Sequence, residues 1–61
     1  MLDLIEELKS VMEEKEIKAT TASMFIHCDA RQVDRWLKGE ATPTLLYREA
    51  IKKGIRRLRR L

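Results

Sequence analysis

The residues best equipped for chemistry crowd into "DARQVDRWLKGEATP", residues 29–43, which holds Arg31, Arg35 and Lys38 beside Trp36, Gly39 and the only proline, Pro43. A guanidinium presents a planar fork of donors that fits a carboxylate, a phosphate or the O6/N7 edge of guanine, and two arginines spaced i, i+4 share one face of a helix. At about 100° per residue, Ala30, Val33, Trp36 and Leu37 fall on one side, and Arg31, Asp34, Arg35 and Lys38 on the other. Asp29 suits the N-cap of such a helix and Gly39 a left-handed stop. The stretch therefore predicts a helix over 30–38 that buries Trp36 and offers a short, mostly cationic face to water or a ligand.

Other chemistries find little support. His27 and Cys28 are consecutive, and neighbours in sequence point apart rather than forming a base and nucleophile pair. One cysteine and one histidine make no zinc set, a single thiol closes no internal disulfide, and two glycines, Gly39 and Gly54, make no phosphate-cradling loop. Cys28 reads as a small buried apolar residue. An enzyme is not expected, nor a metal, another cofactor or a small-molecule ligand.

Around this stretch the spacing is helical throughout, with no sustained two-residue alternation. In "LDLIEELKSVMEEKE" the residues Leu4, Ile5, Leu8, Val11 and Met12 form one apolar stripe among acids, a helix ending near Lys15. "ATTASMFIHC" predicts a short helix with Ala19, Ala22, Ser23 and Ile26 on a narrow inner face and Thr20 or Thr21 as a cap. Met24 and Phe25 point away from that face, either as further core or as an apolar spot for docking a second chain. After "GEATP", Thr42 is expected as N-cap with Pro43 at the first position of a fourth helix. Its stripe is Leu46, Ala50, Ile51, Ile55, Leu58 and Leu61, and Gly54 is a candidate bend. The fold expected is an all-α bundle of four to five short helices in one domain, residues 1–61.

A chain of 61 residues builds only a thin core, worth roughly 3 to 5 kcal/mol. Its net charge of +3 is unevenly spread. Residues 1–16 carry six acids against Lys9 and Lys15, a balance of −4. Residues 17–39 carry four bases against Asp29 and Asp34, or +2, and residues 40–61 seven bases against Glu40 and Glu49, or +5. One end repels polyanions and the rest attracts them. No stretch approaches the ~20 apolar residues of a membrane span and the acidic start is unlike a signal peptide, so a cytoplasmic protein without membrane contact is expected.

A short helix, a tight turn and a helix with an exposed basic face follow the helix-turn-helix plan. The stretch "IKATTASMFIHCDARQVDRWLKGEATP" resembles the DNA-binding core of the phage repressor and Cro family, the lambda-repressor-like or XRE group. The resemblance rests on Ser23 in mid-helix, Ile26 and Cys28 around the turn, Val33 and Trp36 turned inward, and the ending "WLKGEATP", and extends over residues 4 to about 54. It implies a lambda-repressor-like fold and a transcriptional regulator on double-stranded DNA, with residues 30–38 in the major groove. Ala30, Arg31 and Arg35 would reach base edges; Asp34 would orient Arg31 or Lys38, or accept a cytosine amine. Ala19, Thr20, Gln32, Lys38, Thr42 and Thr44 would meet phosphates. Five positions depart from the family pattern: His27 where a left-handed glycine is usual, Ala19 where a polar residue opens the helix, Lys18 at its N-cap, and Met24 and Phe25 at typically exposed positions in mid-helix.

The thin core and the little affinity one short helix supplies lead to the expectation of a homodimer, with Met24, Phe25, Ile55 and Leu58 as candidate partner or dimer surface. The alternative is a protein-interaction adaptor of the same fold that uses Met24, Phe25 and the basic C-terminal helix. For "KKGIRRLRRL" three uses compete: phosphate contacts, an anionic membrane surface, or the solvated side of a packed helix.

Overall fold

The structure is a computed structural model that describes residues 3–61, so Leu2, at the head of the first helical stretch, lies outside it. Among the described residues the chain forms four helices and no strand: α1 (Leu4–Lys15), α2 (Ala19–Ile26), α3 (Ala30–Lys38) and α4 (Leu45–Arg59). The protein is a small all-α bundle. Leu8 and Val11 of α1, Ala22 and Ile26 of α2, Val33 and Trp36 of α3, and Ile51, Ile55 and Leu58 of α4 meet in one core. α3 packs on α2 and α1, and α4 packs on α1 and α2. α3 and α4 meet where Trp36 and Tyr47 stack edge to face, 5.3 Å between ring centres, near the loop that joins them.

Three helices stop on a left-handed residue: Glu16 (φ 54°), His27 (φ 67°) and Gly39 (φ 77°). The left-handed residue folds the chain back so that the helix's last carbonyls find donors: Ile17 N–H reaches Met12 O at 2.8 Å, Cys28 N–H reaches Ser23 O at 3.0 Å, and Glu40 N–H reaches Arg35 O at 2.9 Å. Only Gly39 adopts this backbone without a Cβ penalty. Glu16 and His27 each pay about 1 kcal/mol.

Several boundaries differ from the sequence expectation. Neither Thr20 nor Thr21 caps α2; the N-cap is Lys18, with no side-chain cap bond, and both threonines lie inside the helix. Thr44, rather than Thr42, caps α4: its hydroxyl accepts the Tyr47 N–H at 3.4 Å, which leaves Pro43 buried in the loop instead of at the first helical position. The α4 stripe also shifts. Ile51, Gly54, Ile55 and Leu58 set its inward phase. Leu46, five residues before Ile51, is rotated by about 140° and exposed, and Leu61 lies beyond the helix end and is exposed as well.

Gly54 does not bend α4; the helix runs through it. A Cβ built there would stand 2.7 Å from Ile26 Cγ1, and the Phe25 carbonyl and Ile26 Cα lie at 3.5 and 3.6 Å. The glycine thus lets α4 ride directly on the last turn of α2. Gly54→Ala should cost about 1–3 kcal/mol in urea unfolding, although alanine is the better helix former by about 1 kcal/mol. A stabilised Gly54→Ala protein would contradict the close approach. Glu16→Gly should raise stability by about 0.5–1 kcal/mol in the same assay, since it removes both the left-handed strain and a carboxylate from the negative end of the α1 dipole.

Candidate nucleic-acid interface

α3 is built to be held from one side. Asp29 Oδ1 accepts the Arg31 N–H at 2.9 Å, which fixes the first turn, and Gly39 closes the last. Val33 and Trp36 are buried in the core, with Leu37 and Ala30 half-buried beside them. The opposite side carries Arg31, Asp34, Arg35 and Lys38, all exposed. The structure therefore brings these four together on one face, as the spacing predicted.

Their charges are not equivalent. Lys38 Nζ lies 3.0 Å from Asp34 Oδ2, one turn back, and this hydrogen bond and charge raise the lysine's pKa. Asp34 thus pairs with Lys38 rather than with Arg31 and offsets part of the lysine's charge. Among the described residues the ion pairs are Lys38–Asp34, Lys52–Glu49 and Arg59–Glu7, so Arg31 and Arg35 keep unpaired guanidiniums. Each can form a bidentate contact without first breaking one.

The turn at residues 27–29 sets how α3 leaves α2. His27 is left-handed, with φ 67°. Arg57 of α4 stabilises this turn: its Nη1 lies 3.3 Å from the Phe25 carbonyl and 3.2 Å from His27 Nε2. Arginine only donates, so His27 Nε2 takes the acceptor's place in this contact. A cation against the open carbonyl end of α2 also complements that helix's dipole. Nothing in the sequence marked Arg57 out from the other bases around it.

No family model, curated protein or solved structure matches this chain. The geometry of the chain itself carries the functional reading.

The residues expected at phosphates lie on three parts of the chain: Ala19 and Thr20 open α2, Gln32 and Lys38 sit on α3, and Thr42 and Thr44 lie between α3 and α4. Thr20 is exposed in the first turn of α2 and Ala19 half-buried beside it, at a helix start with no side-chain cap, where free N–H groups favour an anion. The inner side of that turn is fixed by Ser23 Oγ donating to the Thr20 carbonyl at 2.7 Å. Gln32 is half-buried; Thr42 and Thr44 are exposed in and after the loop, with Thr44 already engaged as a cap.

The expected partner surface is partly corrected. Ile55 and Leu58 are buried, 3% and 0% exposed, because the inward phase of α4 turns them onto α1 and α2. Phe25 is half-buried and packs on the core, and Met24 alone of the four stands open to solvent. The tail after Gly54 is continuous helix to Arg59, anchored by Leu58 in the core, by Arg59 Nη2 on Glu7 Oε1 at 3.1 Å, and by Lys15 Nζ on the Leu61 carbonyl. Of the three uses considered for it, the solvated side of a packed helix describes its structure. Among the described residues no helix is long and apolar enough to cross a membrane.

Cys28, in the turn, is half-buried, and burial followed by the Asp29 carboxylate raises its thiol pKa. The unreactive thiol form therefore dominates to higher pH than in a free cysteine. Alkylation by iodoacetamide at about pH 8 should be slower in the folded protein than in urea, with the gap narrowing as pH rises above the thiol's range. Equal rates folded and unfolded would contradict that environment.

Proposed function

We propose that the protein is a sequence-specific double-stranded DNA-binding transcriptional regulator of the lambda-repressor-like helix-turn-helix kind, acting in two copies. α3 enters the major groove, and Arg31 and Arg35 read base edges, each suited to a guanine. The observation that carries this reading is the pair of unpaired, exposed guanidiniums one turn apart on a helix whose other side is locked by Val33 and Trp36. Such a face is pre-ordered before any ligand arrives. Ala30 adds an apolar contact for a thymine methyl. Asp34 holds Lys38 along the helix, so Lys38 contributes less to phosphate binding than an isolated lysine. Thr20, Gln32, Thr42 and the uncapped start of α2 meet the backbone on either side. The reading places the protein in the cytoplasm, where its single thiol stays reduced.

The adaptor alternative keeps one specific support: Met24 is 72% exposed on the outer side of α2. Its second residue, Phe25, is half-buried, which leaves a smaller apolar spot than that reading needs.

Sequences selected from a random duplex pool supply the ligand for a direct test. Arg31→Ala with Arg35→Ala should weaken anisotropy-measured binding by roughly 100-fold or more while leaving urea unfolding unchanged, since each bidentate contact is worth about 1–3 kcal/mol. If about five phosphates per protomer are neutralised, log K should fall against log[salt] with a slope near −4 to −5 per protomer. Unaltered affinity in the double variant, or a flat salt response, would sink the DNA reading.

A further inference from the structure

An open groove of about 630 Å³ runs between the end of α2 and α4, and its two ends differ in chemistry. Leu46, Ala50, Lys53 and Arg57 line it from α4, at the i, i+4, i+7, i+11 spacing that sets them in one row along the helix. The first two are apolar and the last two cationic. Tyr47 joins the apolar end, where Leu46 is left 85% exposed. At the other end the cations are not offset. Arg57 donates to the Phe25 carbonyl and to His27 Nε2, neither of them a carboxylate, and Lys53 makes no hydrogen bond or ion pair among the described residues. Glu49, the acid among the lining residues, lies 3.7 Å from Lys52, which does not line the groove.

From this division we infer that the groove docks a peptide segment of a partner protein, with large apolar side chains at one end of the segment and carboxylates at the other. Charge complementarity selects the acidic end, and the uncovered Leu46 and Tyr47 select the apolar one. The row on α4 sets the spacing. Leu46 and Lys53 are about 10 Å apart along the axis, which the partner spans with about two helical turns or three extended residues. Other occupants match less of the site. A nucleic-acid backbone answers Lys53 and Arg57 but leaves Leu46 uncovered, and a second copy seated groove to groove sets cation against cation. An anionic bilayer supplies both chemistries but presents a flat face to a concave site. Arg31, Arg35 and Met24 do not line the groove, so a protein partner here stands apart from the DNA reading and does not depend on it.

The test is selection on the whole chain from a phage-displayed library of random peptides about twelve residues long, enough to span the row in either conformation. Enriched peptides should pair leucine, isoleucine, phenylalanine or methionine with aspartate or glutamate about three or seven positions away. A fluorescein-labelled copy of the dominant peptide should bind about tenfold more weakly to Leu46→Gln and to Lys53→Glu, and with unchanged affinity to Arg31→Ala with Arg35→Ala. Leu46 and Lys53 are exposed, so the circular dichroism of both groove variants should remain that of the folded protein. The absence of any enriched peptide, enrichment without acidic residues, or binding that survives both groove substitutions overturns the proposal. Loss of binding in the double arginine variant also overturns it, by moving the peptide to α3. Sedimentation equilibrium at about 10 to 300 μM and vesicles of phosphatidylserine and phosphatidylcholine probe the rival occupants. A wild-type dimer that Leu46→Gln dissociates gives the groove to a second copy, and vesicle binding that Leu46→Gln abolishes gives it to a membrane; either result overturns the proposal.

Discussion

The contact between Gly54 and Ile26 is the one on which the arrangement of the other elements rests. α2 is eight residues long, has no side-chain cap at its start and ends on a non-glycine left-handed residue. A helix of that length does not hold itself together in water. It is held because α4 lies directly on its last turn, at a distance that a single methyl group would fill. Three residues further along α4, Arg57 then comes within reach of the Phe25 carbonyl and His27, so the helix crossing and the turn geometry are fixed by one approach. α3 begins directly after the turn at residues 27–29, so the approach of α4 to the last turn of α2 also bears on how α3 leaves it.

Much of this organisation was readable from residue spacing. The bounds of α3, its two faces, its Asp29 cap and its Gly39 stop all follow from a local pattern in which capping, periodicity and side-chain size agree. The start of α4 was not readable in the same way. Thr42 and Thr44 flank Pro43, each suits an N-cap, and only the burial of Pro43 in the loop decides between them. That two-residue difference belongs to tertiary packing, and it is tied to the exposure of Leu46, which spacing alone had assigned to the inner stripe. Gly54 was legible as an anomaly in a helix, but its meaning was not, because a close approach involves a second helix that local sequence does not name. Within the candidate interface, the grouping of Arg31, Asp34, Arg35 and Lys38 was legible; the choice of Lys38 over Arg31 as the partner of Asp34 required the side-chain geometry.

Charge counts alone single out α4 rather than α3. The C-terminal third holds seven bases, more than any other part of the chain. Yet Arg57 is spent on the turn and Arg59 on Glu7, and Lys52 lies 3.7 Å from Glu49. α4 commits Arg57 and Arg59 to other parts of the bundle and Lys52 to a pair within itself, while α3 leaves both of its arginines unpaired. Surface ion pairs such as Arg59–Glu7 add little stability singly. Their effect here is to divide the cations into those engaged within the bundle and those left unpaired. The long-range field of the whole basic half still draws polyanions toward the protein.

Trp36 and Tyr47 are the only tryptophan and tyrosine in the chain, and they touch. The indole is 2% exposed, with its Nε1 buried and no acceptor among the described residues. A lone tryptophan sealed from water, with a lone tyrosine at its edge, makes the molecule its own optical probe. Its emission therefore reports, without a label, on the joint between α3 and α4.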